Sequence, residues 1–220
     1  MSQSKSRRKF IKETVAAAAG LTASASMIPF TDAMASDPIR KEAQTYPIFF
    51  FTKHLDIYEP EFMAETLAMA GIEGFDLVVR PRGRVEPERV KKDLPRIIRI
   101  GEEYKINTGM IVTAIKDSTE PYAEETLTVA AENGVKHYRL GWYDYDPQLG
   151  ILESLAESRK KVERLTKLNQ KLGIQGGYQN HSGDGVGGPV WDVWDLIKDL
   201  PVEYMSSQFD VRHATVEGAN

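Results

Sequence analysis

The 220-residue chain contains no cysteine. Disulfides are therefore excluded, and thiolate metal sites with them. Any metal must rest on histidine, carboxylate, amide or water. Histidine is scarce, with four in the chain: His54, His137, His181 and His213. Three of them, His54, His181 and His213, stand where a strand is expected to end. The first turn from strand to helix has no Gly-x-Gly-x-x-Gly phosphate loop, which weakens a dinucleotide-binding reading. The one Ala-rich apolar stretch, Val15 to Ala25, falls far short of the roughly 20 residues a membrane span needs.

What is present begins with a targeting pattern. Residues 4–12 read SKSRRKFIK, with Arg7 and Arg8 paired ahead of the mild apolar stretch. Ala33-Met34-Ala35 supplies small residues for cleavage. The pattern resembles a bacterial twin-arginine signal. Residues 1–35 are thus expected to be a signal peptide, 36–45 a linker and 46–220 the folded domain. The expected location is periplasmic or otherwise exported, with the twin-arginine translocon as a transient partner and no stable membrane anchor. Cleavage after Ala35 leaves 23 basic against 30 acidic residues, a net charge of −7. So acidic a body argues against nucleic acid as a partner.

From Pro47 the chain alternates regularly. PIFFFT (47–52) is a short apolar run expected of a buried strand. A helix over 60–71 follows, with Phe62, Leu67 and Met69–Ala70 as its core contacts. Strands are then expected at 72–80, 106–115, 135–142, 174–179 and 203–210. Helices are expected at 87–104, with a kink or break at Pro95, and at 122–133, 152–172 and 190–200. Trp191 and Trp194 on the last helix are expected to pack it onto the sheet. Strict βα alternation demands right-handed crossovers and a parallel sheet, either open and doubly wound or closed as a (β/α)8 barrel. Polar residues gather after every strand, as a barrel's catalytic rim requires.

Two strand ends stand out. In SSQFDVRHATVEG (206–218), Gln208 and Asp210 share one face by the period of two, and Val211, Arg212 and His213 follow as the strand runs out. In IQGGYQNHSG (174–183), Gln179 and His181 form a similar pair. Other candidates are Arg80 and Arg82, as binders of a phosphate or other acidic group or as partners of Asp76 or Glu86. His54 could contact substrate or simply pack. Trp142 and Tyr143 could form an aromatic wall for a ligand ring. The loop GDGVGG (183–188) could act as a lid.

In order along the ladder, IFFFTKHL, LVVRPRGRV, RLGWYDYD, GGYQNHSGD and QFDVRHATVEG resemble the sugar phosphate isomerase/epimerase family over about residues 46–220. The resemblance implies a xylose isomerase-like TIM barrel, of which only about six βα units are present. It implies an exported isomerase or epimerase acting by proton transfer next to a sugar carbonyl. It further implies a divalent metal, whether manganese, magnesium, cobalt or zinc. Asp210 falls on the family's strand-six aspartate ligand, and His213 on the histidine that contacts substrate oxygen. Gln179 falls where strand five normally gives a glutamate. An amide can ligate a hard cation through oxygen but cannot serve as a base. His181 is then left to act as base or ligand. The resemblance thus implies metal ligands Gln179 and Asp210 and a catalytic His213; the residues themselves add His181 as a second catalytic candidate, His54 and Arg80 as substrate contacts, and Trp142 and Tyr143 as a wall for the sugar ring.

A lyase or hydrolase acting on an oxidised sugar, or a non-catalytic carbohydrate-binding protein, would use the same barrel. DNA-repair endonucleases also share it, but the acidic body and the export signal argue against them. With six strands counted, the chain is expected to be an incomplete copy of a longer protein. On its own it is expected to be poorly soluble, weakly folded and inactive, unless an open six-stranded domain completes itself as a homo-oligomer.

Overall fold

The structure is a computed structural model in which residues 46–218 are described. The expected signal peptide and linker lie outside the described residues. Six parallel strands form one sheet in sequence order: β1 (Phe49–Phe51), β2 (Gly74–Val78), β3 (Asn107–Val112), β4 (His137–Arg139), β5 (Gln175–Gln179) and β6 (Met205–Gln208). Helices α1 (Pro60–Met69), α2 (Val90–Glu103), α3 (Ala123–Glu132), α4 (Ile151–Leu172) and α5 (Val190–Ile197) connect them. A sixth helix, α6 (Val211–Val216), follows β6. Within the described residues the sheet runs from β1 to β6 with no pairing between those two strands. This is the ordered run of six βα units expected from the sequence. No described helix is long and apolar enough to cross a membrane.

Period-two alternation assigns each strand two faces. Phe75, Leu77, Ile111, Tyr138 and Tyr178 join the apolar core shared with the helices. Asp76, Val112, Arg139, Gln179 and Gln208 line the cavity on the other face. Register shifts between Phe75 and Asp76, so that Phe75 pairs with Thr108 but Asp76 with Met110. The residue skipped is Gly109, and a bulge of this kind re-aims the side chains around it. Gly109 must be glycine, because an added Cβ would lie 2.4 Å from the Phe49 ring.

Several expectations need correction. On α1 the buried residues are Met63, Ala64 and Leu67, whereas Phe62 and Met69 are exposed. The helix is rotated from the expected face because Met63, not Phe62, is the one that meets the core. Pro95 does not break α2, which runs through it after a 3-10 turn at Pro87–Arg89. Trp191 and Trp194 do not pack α5 onto the sheet. They are 75% and 59% exposed, and Val193 and Leu196 do the packing. The segment after Asp210 is helix rather than trailing strand and loop.

That last change has a local cause. Asp210 is the N-cap of α6, and its Oδ1 accepts from the His213 N–H at 2.9 Å. An aspartate in this position satisfies one of the free N–H groups of the first turn. Asn180 clamps the same residue to the end of β5. Its Nδ2 donates to the Asp210 carbonyl at 2.9 Å, and its Oδ1 accepts from the Asp210 N–H at 2.6 Å.

Candidate active site at the sheet rim

Phe51, Asp76, Arg80, Val112, Arg139, Trp142, Gln179, Gln208 and Asp210 enclose a cavity of about 260 Å3. β1, β3, β4, β5 and β6 each contribute their last residue, and β2 contributes Asp76 from within the strand and Arg80 from just beyond it. Arg139 is the centre of the arrangement. It is only 3% exposed. Its guanidinium donates to Gln179 Oε1 at 3.3 Å and to the Thr113 carbonyl at 3.2 Å. The Trp142 ring covers it, with the centroid 4.0 Å from the guanidinium carbon. Burial, and then the nearby Arg80 charge, push the Arg139 pKa down to about 10, so it stays cationic at neutral pH.

Gln179 also donates through Nε2 to Asp210 Oδ2 at 2.8 Å. It therefore bridges Arg139 and Asp210. Burial works to raise the Asp210 pKa. The His213 N–H, the His213 ring and Gln179 outweigh it, and the carboxyl is held below its usual range. Asp76 behaves in the opposite way. Burial alone pushes its pKa up to about 6. A carboxyl poised there can take and return a proton near neutral pH.

Three buried polar atoms on the cavity walls have no hydrogen-bond partner: Arg139 Nε, Trp142 Nε1 and Gln208 Oε1. Buried polar groups are nearly always paired in native proteins, so such a cluster marks a place where water or a polar ligand completes the bonding. A second cavity of about 280 Å3, lined by Val79, Pro81, Pro87, Ala114 and Tyr122 among others, has no such atom on its walls. The rim cavity is therefore the better candidate site.

The remaining residues singled out from the sequence fall as follows. His181 and His213 come together, with ring centroids 4.0 Å apart, and His181 lies 4.3 Å from Trp142. Neither histidine lines the cavity. Burial, and then His213, lower the pKa of His181. His213 Nδ1 faces Ser182 Oγ at 2.8 Å and an Arg212 nitrogen at 3.2 Å. Arginine can only donate, so Nδ1 accepts, and the neutral imidazole carries its proton on Nε2, 3.9 Å from Asp210 Oδ2. His54 is exposed on the 3-10 turn after β1 and does not line the cavity. Tyr143 is no substrate wall. It is 3% exposed, and its hydroxyl donates to the Lys116 carbonyl at 2.6 Å. Arg80 and Trp142 do line the cavity.

The expected metal ligands Gln179 and Asp210 do come together. The two side chains are bonded to each other, and the Gln179 oxygen already accepts from a buried guanidinium. Among the described residues no three His, Asp or Glu side chains are placed so that they could hold a metal ion together. A divalent cation wants several oxygen or nitrogen donors and no adjacent positive charge. The donors described here do not fit one, and no step is derived through it.

Sequence reading missed Asp76 and Arg139 as site residues. The available signal was a charge at an inward-facing register within an otherwise apolar strand: the aspartate of GFDLV and the arginine of HYRL.

Comparison with solved structures gives the same architecture. The 3-keto-D-glucoside 4-epimerase of E. coli superposes with a TM-score of 0.60 at 13% identity, over 80% of this chain and 72% of that one. A probable 3-DHS dehydratase from Bacillus anthracis gives 0.58 at 12% identity, over 79% of this chain and 66% of that one. A D-psicose 3-epimerase solved in the presence of D-fructose gives 0.52 at 14% identity, over 80% and 67%. This chain thus spans about two thirds of the length of such structures. No protein-family model and no curated protein matches it in sequence. At this level of identity the likeness speaks for the fold, and the fold is the xylose isomerase-like TIM barrel with six of its βα units present.

Proposed function

We propose that the chain is the six-unit part of a sugar isomerase or epimerase, with its chemistry in the rim cavity. The observation that carries this reading is the pairing of a carboxyl poised near pH 6, Asp76, with a buried guanidinium, Arg139, on the walls of one cavity. Enolisation next to a carbonyl needs both parts. Asp76 takes the proton from the carbon beside the carbonyl. Arg139 offers positive charge to the oxygen on which negative charge develops. Return of the proton to the former carbonyl carbon, with the neighbouring hydroxyl proton passing to the former carbonyl oxygen, gives the isomer, and delivery of a proton from water to the other face of the original carbon gives the epimer. Trp142 Nε1 and Gln208 Oε1 supply one donor and one acceptor to hold sugar hydroxyls. The structural neighbours include enzymes whose names describe sugar epimerisation.

The test is solvent exchange. Incubating the protein with a panel of aldoses and ketoses in D2O should place deuterium beside the carbonyl of at least one sugar. No exchange with any of them overturns the reading. A second reading, elimination of water from an oxidised sugar, is favoured by Gln179. An elimination needs one base rather than two, and Gln179 stands where the resemblance implies a second carboxylate. Under that reading the same incubation yields an unsaturated product.

Export is part of the proposal and rests on Arg7 and Arg8 with the mild apolar stretch after them. Replacing both arginines with lysine should leave the protein in the cytoplasm. Undiminished periplasmic accumulation of that variant would overturn the export claim.

A further inference from the structure

We infer that the sugar taken by the rim cavity carries an oxyanion, either a carboxylate or a phosphate, and that Arg139 with Arg80 is its seat. The inference rests on the sugar reading above and names the class of sugar.

A guanidinium withdrawn from water this far is costly unless an opposite charge compensates it. None does so among the described residues. Arg139 forms no ion pair, its two bonds go to neutral oxygens, and its Nε has no partner. Asp210 is one residue removed, on the far side of Gln179. Asp76 lines the same cavity, but nothing neutralises its own burial, so it is not held against a cation. Arg80 brings a second positive charge close enough to act on Arg139; its charge also reaches the Asp56 carboxyl, but it forms no ion pair among the described residues. Two like charges are thus held together at a cavity wall, and neither is in a direct ion pair with the carboxylates of Asp76 and Asp210 that share the cavity.

Elsewhere this chain pairs its partly buried arginines. Arg84 sits against Asp56 and donates to the carbonyls of Leu55 and Tyr58. Arg164 and Asp117 form a two-bonded pair. Arg159 reaches Glu163 and Asp199. The unpaired state of Arg139 and Arg80 is therefore local to the cavity. A planar oxyanion meets a guanidinium edge-on and accepts two bonds at once, while Trp142 occupies the face. A neutral hexose would leave the charge buried and uncompensated.

The experiment is calorimetric titration of the full chain at pH 7 with D-glucose, D-glucuronate, D-glucose 6-phosphate and acetate. One of the two anionic sugars should bind at least about tenfold more tightly than D-glucose, the scale of one charge-assisted bond. Whichever of the two prevails identifies the oxyanion. Arg80→Gln should cut that preference about tenfold, and Arg139→Gln should remove it. Arg80 is partly exposed and makes no side-chain bond, so the Arg80→Gln variant folds as the parent does and keeps the test valid if the Arg139 variant does not. Equal affinity for D-glucose and both anionic sugars overturns this inference and leaves the sugar reading intact. A preference that survives in Arg80→Gln does the same. Acetate binding as tightly as D-glucuronate overturns the sugar reading and keeps the anion seat. No binding by any of the four overturns both.

Discussion

Tyr138 and Arg139 are neighbours on β4, and they lead into two buried polar regions that are built on opposite terms. Tyr138 faces the helices. Its hydroxyl donates to Asn169 Oδ1 at 3.0 Å, and Asn169 Nδ2 donates to the Tyr204 carbonyl at 2.8 Å. Along the same helix, Thr166 donates to the Val162 carbonyl, and Ser154, at its start, donates to the Gly150 carbonyl. No atom of these four side chains is left without a partner. Arg139 faces the cavity, and there Nε of Arg139, Nε1 of Trp142 and Oε1 of Gln208 are all unpaired. The first region is finished and holds the fold. The second is unfinished by the protein itself, which is what a binding site looks like before its ligand arrives.

Substitutions on the two sides should therefore fail differently, and the largest effect belongs to the cavity. Asp76→Asn should lower turnover about a thousandfold, as expected for loss of a general base. In the parent, kcat/KM should rise with pH through about 6, the value to which burial pushes Asp76. The sign for stability is opposite. A carboxyl whose pKa is raised on folding favours the folded state at low pH, and that advantage is lost as pH rises from about 4 to about 6. Asp76→Asn should therefore melt higher than the parent at pH 7, with the difference gone below pH 4. A variant that lost activity and stability together would place Asp76 in the structural region instead.

The structural side is tested by Asn169→Ala. Two buried partners, Tyr138 and the Tyr204 carbonyl, lose their bonds at once. The expected cost is about 3 kcal/mol of stability, read by chemical denaturation. Sugar binding by the folded fraction should stay unchanged. A loss of binding affinity out of proportion to the unfolded fraction would break the distinction between the two regions.

Asp210→Ala lies on the boundary and should have a smaller effect on stability. It removes the α6 cap and frees Gln179 Nε2, at a cost of about 1 kcal/mol. Because Gln179 also holds Arg139, affinity in the cavity should fall a few-fold as well. Unchanged affinity would mean that the bridge through Gln179 does not position Arg139. The smallest effect is expected at Trp194→Ser, within about 0.5 kcal/mol, because the side chain is largely exposed.

How far all this was legible varies from one element to the next. The six strands and five of the helices are periodic enough to read directly, and their order implied the parallel sheet. Boundaries were less legible. β4 is only Tyr138 with one neighbour on each side, because the backbone leaves the ladder just after Arg139. The sixth helix could not be read, since VRHATV has no strong pattern and exists as helix through the Asp210 cap and the Asn180 clamp. At the site, Gln179, Gln208 and Asp210 were visible as polar residues at strand ends. Asp76 and Arg139 were not, because a mid-strand charge looks the same in sequence whether it meets solvent, a partner or a cavity.

The sequence by itself determined the alternation of strand and helix, the rim as the place where polar groups collect, and the absence of thiol chemistry. These follow from short-range periodicity and composition. Only the tertiary structure decided which polar groups are satisfied. It joined Tyr138 to Asn169, tied Gln179 to both Arg139 and Asp210, kept the two histidines off the cavity wall, and left Arg139 buried without an ion pair. Pairing of this kind depends on which residues meet across 30 or 40 positions of chain, and on how far each is taken out of water. Neither quantity is written in local pattern.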